Sequence, residues 1–461
     1  MKHQGQTHMP HLRVSEDGTH LVHADGTPFF WLGDTAWELF HRLDRDDAVM
    51  YLDCRAEQQF TVIQAVLLAE SNGLRTPNAY GELPLHDLAP ARPNVRYFEH
   101  VDFIVAEAGR RGLVVAMLPT WADKVPSNTP GAGPVVFTPE NAFAYGRFLG
   151  ARYRHASIIW MLGGDRGIDS PAALEIWRAM ARGLREGDGG AHLMTFHPKG
   201  GASSAQCASD EPWLDFHVYQ SGHAARWLPV YRFALELAAL RPRKPFLDAE
   251  PPYEDIPIKF WEHVKLHSSE PVPAGVLDER GLIAEPGFFA DGFYTDHDAR
   301  VHAYWNMLSG ACGHTYGNNA VWQMHEHGAR AAIPCLHDWR EAIDRPGAWQ
   351  MRHLRALLTA RPFHLLAPAQ DMIHGLNPEG RDHVRAVLAH TREFALAYVT
   401  CGRPLTLAMG AVSGEKVRAW WFDPRTGEGT VATDVSNNGI QQFAPPTGGA
   451  DRDWVLVLDA I

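Results

Sequence analysis

The chain has 461 residues, 45% of them hydrophobic and 21% charged, with a formal net charge of −12. That length suits one α/β barrel plus a smaller domain, and that composition excludes a disordered chain. An acidic balance with no long Lys/Arg block argues against nucleic acid or an anionic membrane as partner, and no run of about 18 apolar residues offers a membrane span.

In chain order, residues 12–23 alternate apolar and polar around Asp17-Gly18, with Asp25-Gly26 after them, which predicts a hairpin leading in. Apolar runs and helical patterns then take turns. Phe29–Gly33 ends at Asp34, and Asp44–Gln58 reads as a helix capped by Asp44. Thr61–Leu68 is the second run; the loop 70–95 carries Asn72, Asn78 and several prolines, and Tyr97–Arg110 is helical. Leu113–Leu118 is the third run, followed by a helix over Pro139–Tyr153. Ile158–Leu162 is the fourth, followed by a helix over Pro171–Glu186 with Ser170 and Pro171 at its start. Leu193–Phe196 is the fifth run, ending at His197, and Leu214–Tyr219 the sixth, ending at Gln220-Ser221. A helix is expected over His223–Leu240, then the seventh run, Pro245–Ala249, and an irregular segment, 251–294. Thr295–Ser309 is helical, Gly310–Tyr316 is the eighth run and Trp349–Thr359 the last helix.

Eight apolar runs separated by helical patterns predict an α/β fold, a (β/α)8 TIM barrel. A doubly wound sheet gives the same alternation, but it has fewer strands and often a phosphate loop. The stretch Gly131-Ala132-Gly133-Pro134 neither follows a strand nor opens a helix. After about residue 368 the pattern becomes short β-like runs, Val384–His390, Phe394–Thr400, Val417–Phe422, Gly429–Thr433 and Trp454–Leu458, which predict a small antiparallel β-sandwich. The expected organisation is an N-terminal lead-in over 1–28, a barrel over 29–367 and the sandwich over 368–461.

Chemistry in such barrels collects at the C-terminal strand ends. In this chain those ends and their loops hold Asp34, Trp37, His41, Glu70, Asn72, Asn78, Trp121, Asp123, Asp165, His197, Gln220, His223, Glu250, His314, Tyr316, Trp322 and Gln323. Aromatic faces stack on sugar rings, while amides, imidazoles and carboxylates bond hydroxyls; no Lys/Arg cluster for phosphate is among them. Asp165 follows the fourth run and Glu250 the seventh. Paired carboxylates at one barrel mouth are the machinery of glycoside hydrolysis, so these two are the candidate catalytic residues, with the others as substrate-binding candidates. Asp34 reads as structural or as a hydroxyl ligand, Glu70 as the rival to the pair, and Asp248 as a packing or ion-pairing residue on the face of Glu250. The scattered histidines, including His325-Glu326-His327, lack H-E-x-x-H spacing, so no metal site is expected; no G-x-S-x-G elbow is present. Five cysteines, Cys54, Cys207, Cys312, Cys335 and Cys401, are odd in number and hold no C-x-x-C pair, which reads as free thiols in a reducing compartment. Met1-Lys2-His3-Gln4-Gly5-Gln6 lacks the apolar stretch of a secretory signal, and a cytoplasmic location is the expectation.

Phe30-Trp31-Leu32-Gly33-Asp34-Thr35-Ala36-Trp37, Gly73-Leu74-Arg75-Thr76-Pro77-Asn78, Leu118-Pro119-Thr120-Trp121, Trp160-Met161-Leu162-Gly163-Gly164-Asp165-Arg166, Met194-Thr195-Phe196-His197-Pro198, Asp248-Ala249-Glu250-Pro251 and Gly313-His314-Thr315-Tyr316-Gly317, in this order, resemble the apiosidase-like enzymes of glycoside hydrolase family 140. The tail, through Trp421-Phe422-Asp423-Pro424 and Asp453-Trp454-Val455-Leu456, resembles the domain that usually follows this barrel and is named for collagen binding; a buttress for the barrel is the expected role. The resemblance implies a retaining, exo-acting hydrolase with Asp165 as acid/base and Glu250 as nucleophile, working without metal or organic cofactor. Its implied substrate is a small carbohydrate or glycoside with a terminal apiose or related pentofuranose. A non-catalytic carbohydrate-binding protein on the same barrel is the alternative, and oligomeric state is left open.

Overall fold

The computed structural model describes residues 11–129, 131–264 and 272–461. Residues 1–10 of the expected lead-in and 265–271 of the expected irregular segment lie outside the described residues. The architecture is a (β/α)8 barrel built on a nine-stranded, mostly parallel sheet, with a separate antiparallel domain at the C-terminus. The described residues divide into two compact units, one of residues up to 220 with 322–324, the other of 221–264, 272–321 and 325–461.

In the first unit Arg13–Val14, Leu21–Val22 and Pro28–Phe29 form a three-stranded antiparallel lead-in. Five parallel strands follow: Trp31–Thr35, Val62–Val66, Val114–Leu118, Ile158–Gly163 and Met194–His197. Gly33 lies opposite Val62, Val62 opposite Val114, Val115 opposite Ile158 and Trp160 opposite Met194. Every residue of these strands is buried, the reason they read as unbroken apolar runs rather than alternating ones. The sixth strand, His217–Gln220, is shorter than its run because Leu214 is drawn into a turn, its N–H donating to the Glu211 carbonyl.

Helix starts follow their caps. The Asp44 carboxylate accepts from the Asp47 N–H ahead of Arg45–Glu57, and Ser170 caps Pro171–Asp188. That helix packs against Pro139–Tyr153 backbone to backbone. A Cβ on Gly183 would lie 2.2 Å from the Phe143 carbonyl oxygen, and one on Gly150 would lie 2.3 Å from that of Leu184. Trp160 Nε1 donates to Asp188 Oδ2 at 2.9 Å, tying the fourth strand to the end of the second of these helices.

In the second unit Phe246–Asp248 pairs in parallel with Gly313–Tyr316, placing Asp248 opposite His314. The helix expected over His223–Leu240 forms only over Tyr231–Ala239. Pro229 lacks an N–H and disfavours helical geometry at the residue before it, so His223 lies in the preceding loop. The antiparallel domain has a six-stranded sheet, in the order Leu366–Pro368, Arg385–Ala389, Phe394–Val399, Trp454–Ala460, Lys416–Phe422 and Thr433–Ser436, and a separate pair, Leu405–Ala408 with Ile440–Phe443. The strand expected at 429–433 starts at Thr433, which lies opposite Ala419. Both sheets contribute to one buried cluster that includes Leu405, Leu407, Trp421, Leu456 and Leu458. Arg300, on the helix Asp296–Met307, forks onto Asp453 with bonds of 3.0 and 2.9 Å, and Tyr304 stacks on Tyr398 at 4.6 Å between ring centroids.

Candidate active site

In the first unit the fourth strand leaves the sheet through three left-handed residues in succession, Gly163 (φ +88°), Gly164 (φ +121°) and Asp165 (φ +56°). Both glycines are required by close approach. A Cβ on Gly163 would lie 2.3 Å from the His197 carbonyl oxygen, and one on Gly164 would lie 2.7 Å from the Trp121 ring. The Gly164 N–H donates to the His197 carbonyl at 3.0 Å and the Asp165 N–H faces His197 Nδ1 at 3.4 Å. Asp165 is thus delivered, partly exposed, beside a buried aromatic group. In that group Trp37 lies 5.2 Å from Trp121 and 5.4 Å from His197 between ring centroids. The buried atoms Trp121 Nε1 and Gln220 Oε1 have no hydrogen-bond partner among the described residues. Buried polar groups of that kind are where a hydroxylated ligand gains its bonds.

Charge is gathered around this aromatic group. Arg166, buried, lies 3.3 Å from Glu70 through Nη1 and donates from Nε to the Thr129 carbonyl. Asp123 and Lys124, both fully buried, pair at 2.6 Å, and Asp123 also accepts from the Gly133 N–H. Burial pushes the Asp123 carboxyl above its ordinary range despite the Lys124 charge. The Gly131–Pro134 stretch is therefore a lining for Asp123 and Arg166: a Cβ on Gly131 would lie 2.4 Å from Asp123 and 2.5 Å from Arg166. Glu38 is held below its ordinary range: burial opposes its charge, but the hydrogen bond from His41 and the Arg42 charge outweigh it. His41 bridges Glu38, at 3.1 Å, and the Thr76 carbonyl, at 2.6 Å. Lys124, Arg166 and Glu38 did not stand out in the sequence, which offered no lysine at a strand end. Arg166 carried one signal, its place directly after Asp165.

Several candidates serve internal partners. Asp34 lies within its strand, fully buried, accepting from Arg55 Nε at 2.7 Å and from the Tyr51 hydroxyl at 2.5 Å. Asn72 is exposed at φ +61°, and buried Asn78 Oδ1 accepts from the Tyr80 and Glu82 N–H groups, shaping its loop. The Trp322 carbonyl accepts from the Glu38 N–H, and Gln323 is fully buried.

In the second unit Glu250 stands two residues past Asp248, the last residue of its strand, and is 7% exposed. Its Oε1 lies 3.4 Å from His223 Nε2, and the His223 ring is itself packed by Tyr253 and Phe260, with centroids 4.8 and 6.0 Å away. Asp248 lies deeper. It accepts from the Ser221 hydroxyl at 2.6 Å and from the Ser221 and Glu250 N–H groups, each at 3.3 Å. Burial pushes its carboxyl up to about 7. Tyr316 is turned to Glu254, donating at 2.5 Å; burial and then the Asp255 charge push Glu254 up to about 7 as well. His314 lies beside Asn306 at 3.2 Å, and burial pushes it down to about 3. Among the described residues, no three His, Cys, Asp or Glu side chains are grouped to hold a metal ion, and no helix is long and apolar enough to cross a membrane.

The family model described as "Apiosidase-like, catalytic domain" matches residues 15–364, and that described as "Putative collagen-binding domain of a collagenase" matches residues 367–459. A solved family 5 glycoside hydrolase from Bacteroides vulgatus is 31% identical over 98% of this chain and 93% of its own, with a TM-score of 0.82. A second structure, described as a glycoside hydrolase, is 32% identical over 98% of this chain and 97% of its own, also at 0.82. A structure described as a "putative glycoside hydrolase from Bacteroides vulgatus", at 14% identity and a TM-score of 0.66, shares the fold. No curated protein matches the chain. A catalytic-domain model that spans most of the chain, and two solved hydrolases similar along nearly all of it, place this protein in a family: it belongs to the apiosidase-like glycoside hydrolases.

Proposed function

We propose that this protein is a retaining, exo-acting glycoside hydrolase that removes a terminal apiose, or a related pentofuranose, from an oligosaccharide or plant glycoside. In the first step Glu250 attacks the anomeric carbon while Asp165 gives its proton to the departing oxygen, so one C–O bond forms and one breaks. In the second Asp165 takes a proton from water, the hydroxide attacks the same carbon and Glu250 leaves as carboxylate. The mechanism requires the two carboxyl groups to stand about 5–5.5 Å apart when substrate is bound. The observation that carries this reading is the placement of one carboxylate just past each of the strands Ile158–Gly163 and Phe246–Asp248, in a chain of apiosidase-like family. Glu70, the rival, is engaged by Arg166, which favours a fixed charge there over a proton donor. No disulfide joins any of the five cysteines, which suits a cytoplasmic enzyme acting on imported glycosides.

The test is hydrolysis of a panel of nitrophenyl glycosides, including an apioside and arabinofuranosides, in EDTA, by wild type, Asp165→Ala and Glu250→Ala. Wild-type turnover that collapses in both variants, with azide restoring Glu250→Ala to give a glycosyl azide of inverted configuration, is the expected result. Full activity in either variant refutes the pair. Sugar binding without turnover of any substrate favours the non-catalytic alternative.

A further inference from the structure

Three consecutive residues, Ser221, Gly222 and His223, are laced to the segment that carries Glu250. The Ser221 hydroxyl donates to Asp248 Oδ2 at 2.6 Å and its N–H to Asp248 Oδ1 at 3.3 Å. The Gly222 N–H donates to the Glu250 carbonyl at 3.0 Å, and His223 Nε2 lies 3.4 Å from Glu250 Oε1. Asp248 Oδ1 also accepts the N–H of Glu250 itself. Gly222 sits at φ +71°, the left-handed turn that sets its neighbours on the same partner segment. Asp248 is fully buried, Ser221 2% exposed and His223 7%. A buried carboxyl is a costly way to fill space, and an apolar side chain would pack as well. Here its two oxygens are spent on holding the backbone of Glu250 and the root of the loop that bears His223.

We propose that Asp248 is a positioning residue for the reaction: through Ser221 and the Glu250 amide it holds the nucleophile's strand end and the His223 loop as one body. This rests on the reading of Glu250 as nucleophile, and it adds a residue that acts through its neighbours. Asn is the conservative replacement. Its oxygen can accept both N–H groups, and its NH₂ can keep the contact with the Ser221 hydroxyl with donor and acceptor exchanged.

The experiment compares wild type, Asp248→Asn, Asp248→Ala, Ser221→Ala and Glu250→Ala as full-length proteins, on a nitrophenyl glycoside that wild type turns over, with thermal melts run in parallel. Asp248→Asn is expected to keep kcat within about threefold. Asp248→Ala should lose about 100-fold in kcat with KM within about threefold, since loss of about 1 Å of alignment costs that much, and Ser221→Ala should fall between the two. Should Asp248→Ala not fold, Asp248→Asn and Ser221→Ala still decide the matter. A folded Ser221→Ala at wild-type kcat, or losses in KM alone, overturns the proposal. Wild-type kcat in Glu250→Ala overturns the retaining reading itself, and this inference with it.

Discussion

Gly164 joins the fold to the proposed chemistry in the first unit, and replacing it with Ala measures the join. A Cβ there would lie 2.7 Å from two atoms of the Trp121 ring and 3.2 Å from the Ala122 nitrogen, at a φ of +121°. An L-residue in left-handed backbone costs about 1–2 kcal/mol, and forcing a methyl into packed space costs about 1–3 kcal/mol more. The turn and the ring would have to part by about 0.7 Å to restore ordinary contact, which moves either Asp165 or the Trp37–Trp121–His197 group. Misalignment of that size predicts a fall of about 10- to 100-fold in kcat/KM. Gly190 supplies the control: it sits at φ +74°, and a Cβ added there would meet nothing within 4 Å, so Gly190→Ala carries only the backbone penalty. Denaturant midpoints and nitrophenyl glycoside kinetics on both variants separate the two effects. Gly164→Ala as stable and as active as Gly190→Ala would refute the argument that this turn is held by contact with Trp121.

Asp248 also makes a prediction about pH. Its carboxyl is pushed from 3.8 to about 7 by burial, so between those values the folded chain keeps a proton that the unfolded chain has lost. The contribution is fully present below about pH 4 and is lost as pH rises through 7, about 4 kcal/mol at most. Buried His314 and His383, pushed down to about 3 and about 4, act in the opposite sense and weaken the fold as pH drops through 6.5. The measurement is therefore the stability difference between wild type and Asp248→Asn, which should shift against wild type from pH 4.5 to 7.5; a flat difference would contradict the buried, proton-holding Asp248. Asp453→Ala removes a carboxylate that accepts from both Arg300 and Tyr398 in a fully buried setting, and should cost about 3–5 kcal/mol in urea unfolding. A loss under about 1 kcal/mol would show that the pair is not what anchors the tail to the helix Asp296–Met307. Arg166→Gln leaves the Glu70 charge without its guanidinium, and should raise KM or lower kcat by about tenfold or more; unchanged kinetics would separate Glu70 and Arg166 from the site.

What could be read from the sequence was whatever depends on neighbours along the chain. Buried parallel strands announce themselves as unbroken apolar runs, so Val114–Leu118 and Ile158–Gly163 were legible to within a residue or two, as were helices opened by Asp44, Ser170 and Thr295, whose side chains cap the turn that follows them. The positions of Asp165 and Glu250 just past the strands Ile158–Gly163 and Phe246–Asp248 were legible for the same reason. The short tail strands Leu405–Ala408 and Ile440–Phe443 were not, since four residues with polar ones among them carry too little periodicity to distinguish a strand from a loop. Nor could spacing tell which strand-end polar groups meet a ligand and which meet the protein. Asp34 and Arg55 are 21 residues apart, Glu70 and Arg166 are 96, and Tyr316 and Glu254 are 62. Those pairings, and the lacing of Ser221–His223 to Asp248 and Glu250, exist only once the chain has folded, because burial removes water as the competing partner and leaves each charge to whichever group the packing brings within reach.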